Sequence, residues 1–153
     1  VLRLSDATYN SASVAAIGVA AHECGHAVQH ARGYAPLKIR GSLVPIVNFG
    51  STIAWPLILI GLLIGGSMST LLLNIGIIAF SLAVLFQLVT LPVEFNASRR
   101  AVRILGESRI LPDAEIEDTK KVLQAAALTY VAGAASSILQ LLRIILIAGR
   151  RRD

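Results

Sequence analysis

The stretch GSLVPIVNFGSTIAWPLILIGLLIGGSMSTLLLNIGIIAFSLAVLFQLVTLPV, Gly41 to Val93, runs for 53 residues without a charged side chain or a histidine. One membrane-crossing helix needs roughly 20 apolar residues, so this stretch is long enough for two. Near its middle, GGSMS (Gly65 to Ser69) is a turn signal. We therefore expect two transmembrane helices, Leu43–Ile64 and Thr70–Leu91, joined as a tight hairpin. Pro56 and the internal glycines are tolerable there, because membrane helices carry both more often than soluble ones do. Trp55 lies mid-span and is not read as an interfacial anchor.

The rest of the chain agrees with a membrane class. Of its 153 residues, 55% are hydrophobic and 15% charged, and the mean hydropathy is +0.70. A soluble domain usually carries about 25% charged residues. The formal net charge is +5. The basic residues gather at the ends of apolar runs: Arg32, Lys38 and Arg40; Arg99, Arg100 and Arg103; Lys120 and Lys121; Arg150 to Arg152. Membrane flanks look like this. A nucleic-acid surface would show a basic stripe interleaved with aromatics, so no nucleic-acid partner is expected. A single cysteine, Cys24, excludes an internal disulfide framework. The opening VLRLSD has neither a methionine nor a leader-like run, and the chain is read as a fragment lacking its upstream part.

Outside the hairpin, Val1–Leu4 alternates apolar and basic residues as a short strand would. Asn10 and Ser11 are candidate caps for a helix over residues 12–32, which Gly33 should stop and Pro36 should keep from resuming. Pro92 should kink or restart the chain as a short helix over 92–106, exposed and amphipathic, ended by Gly106. DAEIEDTKK, acid first and base later, suits a helix start. It runs into a third candidate span, Val122–Gly149.

Within the first helix, His22-Glu23-Cys24-Gly25-His26 is HExxH. Residues i and i+4 project from one helix face, so both imidazoles can reach a single ion. A second histidine at i+2 would point away. Imidazole nitrogens suit Zn²⁺ at about 2.0–2.1 Å. Glu23 adjoins the first ligand and can take a proton from a water that the ion acidifies. HExxH arises by chance in on the order of one chain in a few hundred of this length. His30 also lies four residues past His26, but His22 and His30 are about 12 Å apart along the axis, so one ion cannot use all three. We read His30 as a surface or helix-end histidine, and Cys24 as a packing residue.

A hydrolytic zinc site needs a third protein ligand and an open position. The form HExxHxxGxxH would supply it locally, but Gln29 and Arg32 stand where its glycine and histidine would be. The remaining ligand must be acidic, and Glu94 is the strongest candidate. It follows the uncharged stretch directly, where an acid is costly unless used. Ala97, Ser98 and Ala101 share its face and would let that helix press against the HExxH helix. The plainer reading of Glu94 is a carboxylate that a helix start favours. For the oxyanion of a tetrahedral intermediate, Tyr130 in AALTYVAGA and Tyr34 are the candidate donors; either could instead anchor or pack.

HECGH, then a membrane hairpin, then LPVEFNASRRA resembles the YugP-type family of membrane-bound neutral zinc metallopeptidases. WPLILIGLLIGG, FQLVTLPVEFNAS, AAALTYVA and LLRIILIAGRRRD extend the likeness over nearly the whole chain. That family is broadly similar to gluzincin membrane proteases of the HtpX and CAAX-prenyl-protease kind. The resemblance implies a mainly α, membrane-embedded, zincin-like fold, with one zinc per chain held by His22, His26 and Glu94 and with Glu23 as general base. It also implies a missing N-terminal anchor and strand region, and residence in a bacterial cell membrane. Ser98 departs from the gluzincin pattern, which has an aspartate there that supports a ligand histidine.

The expected function is hydrolysis of peptide bonds in a protein or peptide substrate associated with the lipid bilayer. Two alternatives stand beside it. One is an intramembrane protease whose third ligand is an aspartate in a later span, although the later spans contain none. The other is a non-enzymatic zinc scaffold or metal carrier, which would have no use for Glu23. The uncharged GGSMS turn between two basic flanks places both flanks, and the site with them, on the cytoplasmic side. The third segment has basic residues at both ends. It is expected to span with its terminal arginines exported, the alternative being a helix along the cytoplasmic surface.

Overall fold

A computed structural model of the chain describes residues 1–150, and their regular secondary structure is entirely helical: α1 (Asp6–Tyr9), α2 (Val14–Ala31), α3 (Ala35–Leu63), α4 (Gly66–Ser108) and α5 (Asp113–Arg150). No strand occurs among the described residues. The strand expected at Val1–Leu4 is instead a lead without regular structure into α1, whose N-cap is Ser5. Alternation alone does not make a strand when nothing described is there to pair with it. Arg151 and Arg152, part of the expected terminal flank, lie outside the described residues.

Helix α2 begins two residues later than expected. Ser13, not Asn10 or Ser11, is its cap and accepts a hydrogen bond from the Ala16 backbone N–H at 3.2 Å. Ser11 holds that cap from outside, its hydroxyl donating to Ser13 Oγ at 3.0 Å. The C-terminus ends at Gly33 as the sequence indicates. Gly33 has φ +61°, its N–H bonds to the His30 carbonyl, and the Tyr34 N–H bonds to the Gln29 carbonyl. This paired closure needs a left-handed residue, which glycine supplies without strain.

Two expectations about proline are corrected. Pro36 does not prevent a helix from resuming: α3 starts at Ala35, so Pro36 falls in the first turn, where its missing N–H would have had no helical partner anyway. Nor does Pro92 restart the chain. Helix α4 runs unbroken from Gly66 through Pro92 to Ser108, so the short helix expected over 92–106 is the continuation of the second apolar helix. Its face is not simply exposed either, since Val93, Ala97 and Ala101 are fully buried.

The chain divides into two compact units. One comprises Ile39–Val89 and, among the described residues, 132–150. Here α3 and α4 approach closely through small residues. A Cβ on Gly61 would lie 2.9 Å from Leu73 Cγ, and one on Gly76 would lie 2.6 Å from Ile58 Cγ1. Ser69 Oγ donates to the Gly61 carbonyl at 2.6 Å. Ile58, Leu73, Ile144 and Ala148 form its buried core. Leu59, Leu63, Ile78, Leu139, Leu142 and Leu146 instead point outward, each more than half exposed. Small residues at the closest helix contacts and large apolar side chains turned outward are the arrangement of helices packed in lipid. Helices α3, α4 and α5 are each long and apolar enough to cross a membrane.

The other unit comprises Val1–Lys38 and Thr90–Val131. Ala21 of α2, Ala101 and Leu105 of α4, Leu111, and Leu123 of α5 form its core, with Ile17, Val102 and Ile116 packed against it. Three helix segments are thus held around one small apolar cluster, and the candidate site is built on them.

Candidate metal centre

Helix α2 presents His22, Gly25, His26 and Gln29 at spacings of three and four residues, which place them on one stripe. Of these, Gly25 and Gln29 are buried. Facing that stripe is the Glu94–Ala97–Ala101 stripe of α4, with Ala97 and Ala101 fully buried and Glu94 only 3% exposed. The approach is limiting at Gly25. A Cβ there would collide with the backbone carbonyl of Ala97, and would sit 3.2 Å from its Cα. A Gly25→Ala variant therefore has to push α4 away. Alanine favours a helix over glycine by about 1 kcal/mol, but overpacking against a rigid backbone costs about 1–3 kcal/mol. We expect this variant to melt at a lower temperature than the parent and to bind less zinc, measured by thermal unfolding and elemental analysis.

The close approach delivers Glu94 to both histidines. His22 Nε2 lies 3.2 Å from Glu94 Oε2, and His26 Nε2 lies 3.6 Å from the same oxygen. The two imidazole rings stand edge to face, 4.7 Å between centroids. One ligand atom from each of the three residues falls within 4.8 Å of the others. Tetrahedral zinc with bonds of about 2.0–2.1 Å separates its ligand atoms by roughly 3.3 Å, so the donor set suits this ion in chemistry and the two Nε2–carboxylate distances lie close to that spacing.

The far nitrogens of both rings are also engaged. His22 Nδ1 is 3.1 Å from Ser98 Oγ, and His26 Nδ1 is 2.9 Å from Gln29 Oε1. Gln29 is fully buried and its amide is oriented by its other bonds: Nε2 donates to the Val93 carbonyl at 2.8 Å and to Asn96 Oδ1 at 3.1 Å. Oε1 is then the acceptor toward His26, so His26 carries its proton on Nδ1 and leaves Nε2 free as a donor atom for a metal. Arg100 Nε in turn donates to Asn96 Oδ1 at 2.7 Å. The Glu94 carboxylate, which accepts a hydrogen bond from the protonated ring, raises the His26 pKa above the ordinary imidazole value. Burial opposes this, and the bond to Gln29 adds to it.

In sequence, Gln29 only excludes a different ligand pattern and Asn96 carries no sign of a role. A polar residue three positions past a ligand histidine, on its buried face, is the signal that could have found Gln29. Ser98, noted as a departure from the gluzincin pattern, touches the His22 ring.

Glu23 sits half-buried on α2 between the two histidines in sequence. His30 is exposed in the last turn of α2 and does not join the cluster. Cys24 is a half-buried free thiol. Tyr130, on α5, lines a cavity together with His22, Glu94 and Ser98; Tyr34 does not.

Comparison with known proteins agrees with the chemistry of this donor set. The family described as "Putative neutral zinc metallopeptidase" matches residues 1–149. The chain belongs to that family. It is also 48% identical to the "Putative membrane protease YugP" of Bacillus subtilis (strain 168), over all 153 residues of this chain and 67% of the relative's length. No solved structure matches. Membership makes this chain a relative of zinc peptidases, and its three long apolar helices suit the membrane setting named for the relative.

Proposed function

We propose that this chain is a zinc-dependent endopeptidase of the membrane, with one zinc held by His22, His26 and Glu94. The observation that carries the reading is the convergence of two imidazole Nε2 atoms on one buried carboxylate oxygen, on the helix that also bears Glu23. Bound there, zinc supplies a Lewis acid and makes water acidic enough to be deprotonated near neutral pH. The chain's own residues supply the rest. Glu23 accepts the proton of the attacking water and passes it to the leaving amine. Ser98 and Gln29 hold the two rings in the orientation that turns Nε2 inward. Tyr130, whose hydroxyl-bearing ring lines the same cavity, donates to the oxyanion of the tetrahedral intermediate. The substrate is a protein or peptide at the bilayer.

The test is proteolysis of an unfolded protein by the purified full chain in detergent. A chelator should abolish cleavage, and stoichiometric zinc should restore it. Cleavage undiminished after zinc has been removed would overturn the reading.

For orientation, the uncharged GGSMS turn and its two basic flanks favour a cytoplasmic site. Single cysteines at Ser67 and Ser108, in a Cys24→Ala background on intact cells, test this. A membrane-impermeant thiol reagent should label position 67 and not 108. The opposite pattern would turn the site outward.

A further inference from the structure

We infer that the cavity beside the metal ligands is a specificity pocket, and that it selects a substrate with a medium-sized aliphatic side chain next to the scissile bond. This rests on the peptidase reading above and adds a substrate class to it.

The cavity is bounded by Val19 and His22 of α2, Glu94 and Ser98 of α4, and Leu123, Ala126, Ala127 and Tyr130 of α5. Its buried floor is Leu123 and Ala127, each 3% exposed, while Val19 and Tyr130 stand at its rim, more than 40% exposed. The polar residues His22, Glu94 and Ser98 occupy one wall and belong to the metal cluster or touch it. The remaining walls are aliphatic apart from Tyr130. A side chain seated on Leu123 and Ala127 therefore brings its own backbone alongside the ligand atoms, where the peptide bond must lie to be cut.

Size and polarity define what fits. The cavity volume is about 130 Å³. An apolar cavity of roughly 150 Å³ accepts a benzene ring, so this one suits leucine, isoleucine or methionine and is too small for an indole. Its floor offers no hydrogen-bond partner to a carboxylate, and burying a charged group without one is strongly unfavourable. The two alanines of α5 keep the pocket open: larger residues at 126 or 127 would fill it.

The experiment measures kcat/KM of the zinc-loaded full chain in detergent, on peptides that differ only at the residue flanking the cleavage site. The parent should cleave the leucine peptide at least about tenfold faster than the alanine, aspartate or tryptophan peptides, since even one methylene in an apolar pocket is worth roughly 10–200-fold. Ala127→Leu fills the floor and should lower the leucine-to-alanine ratio about tenfold with zinc content unchanged. Ala126→Phe, at an exposed position on the rim, should do the same and serves if the floor variant does not fold. Cleavage of all peptides with equal efficiency, or an unchanged ratio in both folded variants, would overturn the pocket while leaving the peptidase reading intact. Absence of any zinc-dependent cleavage by the parent would overturn that reading and the pocket with it.

Discussion

Glu23→Gln is expected to lower proteolysis by a factor of roughly 10²–10⁴, the usual worth of general acid–base catalysis, while zinc content stays near that of the parent. The amide has nearly the shape of the carboxylate and can still accept a hydrogen bond, but it cannot take a proton from the attacking water. Glu23 is not among the three residues whose ligand atoms converge, so its replacement leaves the donor set whole. This pairing of results separates an enzyme from a metal carrier. A carrier would keep its zinc and have no activity to lose. Comparable turnover of an unfolded substrate by Glu23→Gln and parent would remove Glu23 from the chemistry.

The second large effect is loss of metal. His22→Ala and His26→Ala should each strip most of the zinc and bring proteolysis to background. Three protein ligands are the number a hydrolytic zinc site uses, and two rarely hold the ion against competing water. Each change also leaves the Glu94 carboxylate, whose side chain is 4% exposed, with one fewer partner in surroundings that penalise an uncompensated charge. His30→Ala is the control. It removes an imidazole from the same helix, but an exposed one about 12 Å along the axis from His22, and zinc should be retained. Loss of zinc in His30→Ala equal to that in His22→Ala would show that the ion sits lower on α2 than proposed.

Much of this was legible before any coordinates, and the reasons differ by residue. An uncharged run of 53 residues has few physical outcomes other than membrane helices, and α3 and α4 are long and apolar enough to be those helices. The pairing of His22 with His26 is local: helical periodicity alone puts i and i+4 together. Glu94 is 72 residues from His22. Its candidacy came from cost, an acid beside an apolar stretch, and from the small residues on its face.

What stayed hidden was set by tertiary contact. That Gly25 is the point where two backbones meet depends on Ala97 lying opposite it, which no window of sequence contains. In sequence Gln29 serves only to exclude the longer ligand motif; its bonds to Val93 and Asn96, which saturate its amide, are tertiary. The prolines misled because their local penalty was counted without position: Pro36 falls in a first turn, where it costs nothing, and Pro92 lies inside a 43-residue helix, where neighbouring helices can compensate for one lost bond.

The account depends most on Glu94, the one proposed ligand that only the folded chain brings to the other two. The direct measurement is the zinc-to-protein ratio of purified Glu94→Ala beside the parent, by elemental analysis after equal exposure to zinc and dialysis. The account predicts about one zinc per chain in the parent and well under half of that in Glu94→Ala. Full occupancy in Glu94→Ala would contradict it.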